Sequence, residues 1–179
     1  MIYRNKHWTH LTWFFFHMLT LQPIKNEKSK YCIDFFSSFK ELIPCHHCRV
    51  HYQKLINEPD EIMQSNLNKL AIFDWTIDLH NTVNKKNLSR PWNYSEAHKF
   101  YESKKIQVKD IQAFIEVYYQ YHRNNHDIFL KMVRAFFELL PDEFIFKEKI
   151  NGLFEKEKVN YIEVMNEIKT ILRSFSNKY

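Results

Sequence analysis

Apolar residues recur at steps of three and four along nearly the whole chain, and no stretch sustains the two-residue alternation of a half-buried strand. Trp8, Leu11, Phe15, Met18 and Leu19 predict one face of a first helix, which Pro23 ends. A second helix is expected over about Ser29–Ile43, with Cys32, Phe35, Phe36, Phe39 and Leu42 or Ile43 inward, and it stops at Pro44. The third starts at Pro44–Cys45, since proline suits a first turn, and carries Val50, Tyr52 and Leu55 to about Asn57. A loop at Asn57–Asp60 leads to the longest helix, about Leu67–Lys86, whose inner residues are Leu70, Ile72 or Phe73, Ile77, Leu79 and Val83. A short helix follows at Ser95–Glu102, with Ser95 as its expected N-cap.

A change in composition near Lys104–Lys105 marks a boundary between residues 1–104 and a tail, 105–179, without cysteine or tryptophan. The tail predicts helices at Val108–His122 (Ile111, Phe114, Ile115, Tyr118), Asp127–Leu140 (Phe129, Val133, Phe136, Leu140) and Val159–Phe175 (Ile162, Met165, Ile168, Leu172), while Pro141–Lys158 is ambiguous. The fold class is all-α. The aromatic content of the tail argues against an isolated bundle; it is expected to pack on the first part, form a dimer surface or bind a partner.

Composition narrows the chemistry. The 179 residues contain a single glycine, Gly152, so glycine-rich phosphate loops and dinucleotide fingerprints are absent. A nucleotide cofactor would have to be held by helices and by the aromatic side chains, which make up 17% of the chain. The net charge of +5 is too small and too dispersed for a nucleic-acid footprint. Three cysteines, Cys32, Cys45 and Cys48, do not make the framework of a secreted disulfide scaffold. The apolar stretch Trp8–Leu21 contains His10 and His17 and no cleavage site follows it, so neither a signal peptide nor a transmembrane segment is expected.

Three constellations carry chemistry. Pro44-Cys45-His46-His47-Cys48 is a C-x-x-C at a helix start, where backbone N–H groups and the helix dipole favour a thiolate, and His46, His47, Arg49 and His51 add positive charge. On spacing alone a redox pair and a zinc site stand level, the latter built from Cys45, Cys48, His51 and Cys32 or His80; two buried structural cysteines are the blander alternative. The second constellation, Trp75-x(4)-His80-Asn81-x-Val83-Asn84 with Leu88-x-Arg90-Pro91, stacks His80 and Asn84 one turn apart so that their polar ends converge. The third, Trp8-x(4)-Trp13-x(3)-His17, is an aromatic stripe of the sort that usually packs a core, except that a histidine ends it.

In order and spacing these three motifs, over about residues 7–101, resemble the FAD-linked sulfhydryl oxidases of the Erv/ALR type. The resemblance implies a four-helix bundle plus a short fifth helix that holds FAD without a glycine loop, and Cys45 and Cys48 as the redox disulfide beside the flavin. It implies Trp8, Trp13, His17, Tyr52, Trp75, His80, Asn81, Val83, Asn84 and Leu88 as cofactor-lining residues, with Arg90 in place of the usual lysine near the phosphates. It further implies a dithiol protein substrate of thioredoxin-like type, dioxygen as electron acceptor, a homodimer, and no metal. Compact members are familiar from large DNA viruses, so a viral protein in host cytoplasm or virion is the expected setting. The chain departs from the pattern where the family often carries a structural cysteine pair: Ile77 and Trp92-Asn93-Tyr94-Ser95 stand there, Thr9 replaces a usual glycine, and one extra residue separates Asn84 from Leu88. The rival reading is a zinc-stabilised helical adaptor.

Overall fold

The computed structural model describes residues 7–56, 71–121, 125–155 and 160–176. These residues form α-helices joined by turns, with no strand among them. In chain order they are α1 (His7–Thr20), α2 (Ser29–Leu42), α3 (His46–Leu55), α4 (Ala71–Lys86), α5 (Tyr94–Glu102), α6 (Val108–Tyr121), α7 (His126–Leu139), α8 (Phe146–Asn151) and α9 (Tyr161–Ser176). The expected loop at Asn57–Asp60 and the expected first turn of the long helix, 67–70, lie outside the described residues, as do His122 and Val159. No helix among the described residues is long and apolar enough to cross a membrane.

Local chemistry moves three expected boundaries. Cys45 is extended (φ −77°, ψ 113°) and serves as the N-cap of α3, its sulfur accepting from the Cys48 N–H at 3.3 Å, so the helix begins one residue later than the proline suggested. Asn93 rather than Ser95 caps α5, because its Oδ1 accepts the Ser95 N–H at 2.9 Å and satisfies a donor the first turn leaves open. The ambiguous stretch after Pro141 holds α8 and a 3₁₀ turn at Gly152–Phe154.

Most of the expected inner residues are buried, but Ile162 is 64% exposed. The apolar stripe of α9 runs through Val164, Met165, Ile168, Ile171 and Leu172, and Ile162 precedes it on another side of the helix.

The main core joins both parts of the chain. Phe15 of α1 meets Phe114 of α6 and Phe136 of α7, with ring centroids 4.8 and 5.0 Å apart; Phe39 of α2 meets Tyr118 of α6 at 5.2 Å. All five rings are fully buried. Helix α7 lies along α2, α6 lies against α1, and α9 packs on α6 and α8. Polar ties cross the same seam. Thr12 donates to the Trp8 carbonyl, so its oxygen accepts from the Tyr118 hydroxyl, and that bond links α1 to α6 inside the core. The buried ammonium of Lys147 donates to the Leu140 carbonyl and to Asp142, which also receives Lys28 from the turn before α2. Lys147 first, then Lys28, holds the Asp142 carboxyl well below the usual carboxylate range.

A smaller cluster, Phe73, Ile77, Ala97 and Tyr101, seats α4 and α5 against Phe14 and Met18 of α1. Helix α1 is therefore shared, one side facing the tail and the other facing α4 and α5.

Because Phe114 touches α1, α2 and α7 at once, Phe114→Ala is expected to cost about 3–5 kcal/mol of stability. Urea unfolding followed by circular dichroism would show a lower midpoint with an unchanged slope.

Candidate cofactor and disulfide site

Cys45 and Cys48 form a disulfide, with Cα atoms 5.2 Å apart, at the N-terminus of α3. Cys45, turned back over the first turn as its cap, is half-buried, and Cys48, one turn in, is exposed along with His46 and His47. Cys48 is therefore the more exposed member of the pair. Arg49 is held by two bonds, donating to the Ile43 carbonyl at 2.8 Å and to His46 Nδ1 at 3.3 Å, which fixes a guanidinium beside the start of the helix. Helix α3 carries no carboxylate. Desolvation, then the charges of Lys86 on α4 and Lys54, lowers the pKa of His51, so the end of α4 lies close to the disulfide helix. A thiolate released here sits at the positive end of a helix dipole in a cationic surround.

Helix α1 places Trp13 and His17 one turn apart, and α4 places His80 against them. The rings of Trp13 and His80 stack at 4.1 Å and 5°, and those of His17 and His80 lie within 18° of parallel at 5.2 Å. His17 is fully buried. Its Nδ1 lies 2.8 Å from Thr76 Oγ1 and its Nε2 lies 3.0 Å from His80 Nδ1. Phe73 and Tyr101 enclose it from α4 and α5. Burial first, and the adjacent His80 second, pushes the pKa of His17 well down; burial first, and His10 second, brings His80 down to about 4. Both rings are neutral near pH 7.

The segment after α4 is clasped back onto it. Asn81 donates through Nδ2 to the Trp92 carbonyl at 2.9 Å and accepts the Trp92 N–H at 2.7 Å; Asn84 donates to the Arg90 carbonyl at 3.4 Å. The helix ends in a Schellman turn, with Ser89 N–H on the Asn84 carbonyl and Leu88 N–H on that of Lys85. Leu88 occupies the left-handed position of that turn (φ 55°), which favours glycine, and its side chain is 96% exposed. Such a conformation is costly for a branched apolar residue, and strain of this kind gathers at ligand sites. Arg90 reaches both carboxylate oxygens of Glu96, at 2.9 and 3.0 Å.

The motifs of α1 and α4 thus meet at the His17–His80 pair, and the disulfide helix lies near the end of α4. The family model described as Erv1 / Alr family matches residues 10–105. The chain belongs to the Erv1/Alr family. It is 33% identical over 97 residues to a protein of Acanthamoeba polyphaga mimivirus named "Probable FAD-linked sulfhydryl oxidase", a match covering 50% of this chain. The chain spans 65% of that relative's length. No solved structure matches it at a significant level.

For an Erv1/Alr chain the donor set suits a flat nucleotide cofactor: parallel rings at Trp13 and His80, an apolar side chain held outward at Leu88, and at Arg90 an exposed guanidinium that Glu96 pairs in this structure. Trp75 and Val83 are half-buried on α4, Trp75 edge-on to Phe36 of α2. Trp8 and Tyr52 are core residues, the Tyr52 hydroxyl donating to the Phe36 carbonyl at 2.9 Å. The zinc set is not assembled: Cys45 and Cys48 are joined to each other, Cys32 is buried on α2 with its thiol pushed up to about 12 by desolvation, and no metal-binding group exists among the described residues. Sequence reasoning missed Thr76, Phe73, Tyr101, Trp92 and Glu96. Nothing in the spacing of the four on helices or in the loop position of Trp92 sets them apart, and only the partner each meets gives it a role.

Two outcomes follow from these environments. Because the folded pKa values of His17 and His80 are depressed, the stability they support is complete above the unfolded value near 6.5. It is lost as pH falls from there toward about 4, where His80 itself protonates in the fold. Thermal melts between pH 8 and 4.5 should show the loss, and His80→Gln should flatten it. At the turn, Leu88→Gly should raise the stability of the cofactor-free chain by about 1 kcal/mol and weaken its uptake of FAD, measured by chemical unfolding and by flavin titration.

Proposed function

We propose that this chain is an FAD-dependent thiol oxidase that makes disulfide bonds in partner proteins and delivers the electrons to dioxygen. The observation that carries the reading is the Cys45–Cys48 disulfide at an open, cationic helix start, on a chain of this family whose Trp13, His17 and His80 rings form a layered site. The likeness to the mimiviral protein supports the cofactor and the activity.

The exchange balances as follows. A partner thiolate attacks Cys45 Sγ, which is half-buried as the helix cap and has to be reached from its open side, the Cys45–Cys48 bond breaks, and Cys48 leaves as a thiolate; a second partner thiol then displaces Cys45 and departs as a disulfide, so the partner loses two electrons and two protons. Bound FAD would supply the two-electron relay from the Cys45/Cys48 dithiol to dioxygen, giving hydrogen peroxide. The chain contributes the rest. The dipole of α3 and the anchored Arg49 stabilise the departing thiolate, and Trp13, His80, Leu88 and Arg90 bind and orient the cofactor, with Asn81 and Asn84 holding the loop that bears the last two.

The partner in this proposal is a dithiol protein of thioredoxin-like type, residues 1–104 are the catalytic part and 105–179 its support, and the setting is a viral one. A homodimer through the bundle would use faces other than those of α1 and α2 that α6 and α7 cover; light scattering gives the mass directly.

The purified chain should show the absorption of oxidised flavin at near one per chain. Cys48→Ser should keep that absorption, lose dithiol-driven oxygen uptake by at least about a hundredfold, and trap a mixed disulfide on Cys45. Persisting turnover in that variant, or a folded chain unable to take up FAD, overturns the reading.

A further inference from the structure

The proton positions around His17 are fixed by a chain of hydrogen bonds that runs in one direction. Thr76 Oγ1 lies 2.7 Å from the Phe73 carbonyl oxygen of the preceding turn. Two oxygens this close repel each other unless a proton lies between them, and the carbonyl has none, so the hydroxyl of Thr76 donates there. A hydroxyl has one proton. Toward His17, 2.8 Å away, Thr76 can then only accept, and His17 Nδ1 must carry a hydrogen. A neutral imidazole has one N–H, so His17 Nε2 is a bare acceptor, and His80, 3.0 Å from it, must donate through Nδ1. His80 Nε2 is left without a proton and, among the described residues, without a hydrogen-bond partner. A second threonine uses the same device: Thr12 gives its proton to the Trp8 carbonyl and accepts from Tyr118.

We propose that Thr76 is a positioning residue for cofactor binding: it fixes the tautomers of His17 and His80 and thereby makes His80 Nε2 an acceptor that selects a ligand edge presenting an N–H or O–H donor. The inference rests on the placement of His80 in the FAD site. FAD carries such donors on both ring systems and on its sugar hydroxyls. An edge that only accepts would meet a lone pair and be rejected, because His80 cannot turn its proton outward without leaving His17 Nε2 unsatisfied in a fully buried position. Stacking on Trp13 holds the His80 ring in the plane where this applies. A valine at position 76 would fill the same volume and leave His17 Nδ1–H without its acceptor. His17 could then adopt the other tautomer, and His80 would be free to do likewise.

The test is histidine-resolved ¹⁵N NMR of the labelled chain at neutral pH, with flavin titration of the same samples, for wild type, Thr76→Ser and Thr76→Val. Wild type should show His17 and His80 both protonated at Nδ1, and Thr76→Ser should keep both tautomers and the affinity for FAD. Thr76→Val should move His80 toward Nε2–H and weaken FAD binding by about tenfold, the cost of one mismatched buried hydrogen bond. An Nε2–H tautomer on either ring of the wild type overturns the assignment outright, whatever the variants do. Unchanged tautomers and affinity in Thr76→Val overturn the role of Thr76. Should the tautomers move while FAD affinity stays constant, the positioning role falls, because His80 does not then read the cofactor; should wild type take up no FAD at all, it is the oxidase reading that fails.

Discussion

An imidazole with no exposed surface can be accommodated only if both its nitrogens have partners, and His17 is such a ring. Its partners, Thr76 and His80, are four residues apart on α4, so satisfying it fixes how far α4 is advanced along α1 and how it is rotated. Everything at the site inherits that setting. With α4 so placed, His80 lies on the face of Trp13, and Asn81 stands where it can clasp the backbone of Trp92. Asn84 meets Arg90, and the turn that raises Leu88 starts from a defined point. The ring also stays uncharged, as burial beneath directly stacked aromatic rings favours.

The opposite side of α1 explains why a region beyond the family match is part of the same molecule. Phe15 points away from His17 into the rings of Phe114 and Phe136, and α2, which packs against the disulfide-bearing α3, is lined by α7 along its length. The helices after residue 104 therefore supply the rigid wall against which α1 and α2 are held, and the site is positioned by residues remote from it. An exposed disulfide can be approached by a partner only if its helix is anchored elsewhere. Here Tyr52, reaching the Phe36 carbonyl from α3, and Gln53, reaching that of Lys40 at 2.6 Å, do the anchoring.

Helix content and most of the buried apolar positions could be read from the three- and four-residue rhythm, because in a helical protein burial follows that period, but wide apolar faces also bury residues beside the stripe, such as Phe16, Met132 and Phe137. What rhythm could not reveal was pairing. Nothing in the spacing of Phe15, Phe114 and Phe136 says that they share a core, and Ile162 fits its stripe on paper yet faces solvent. The site divides in the same way. Cys45, Cys48, His80 and Asn84 stood out because their residue types are rare on helix faces and because the motifs resemble a family. Thr76 was silent, since a threonine in a helix is usually bonded only to its own backbone; its second bond, to His17, is a tertiary fact. The start of α5 differs from expectation for a related reason: Ser95 and Asn93 are both good caps by residue type, and only the fold shows that the Asn93 oxygen takes the Ser95 N–H.

The use of glycine fits the proposal that side chains, not a glycine loop, hold the nucleotide. Gly152, its sole glycine, sits in ordinary right-handed backbone (φ −58°), with nothing within 4 Å of where a Cβ would be, so neither conformation nor crowding requires it. The left-handed position that would welcome a glycine is occupied by Leu88. A loop that cradles phosphates with backbone N–H groups needs glycine for close approach; a loop that presents a side chain to a ligand needs that side chain even where the backbone resists it. In the proposed site Leu88 is of the second kind. The strain it carries is offset by the hydrogen bonds of the Schellman turn and by the clasps of Asn81 and Asn84. The asparagines of the His-Asn-x-Val-Asn motif thus act through the backbone they restrain, and in the proposed site it is the residues on that backbone that would make the contact.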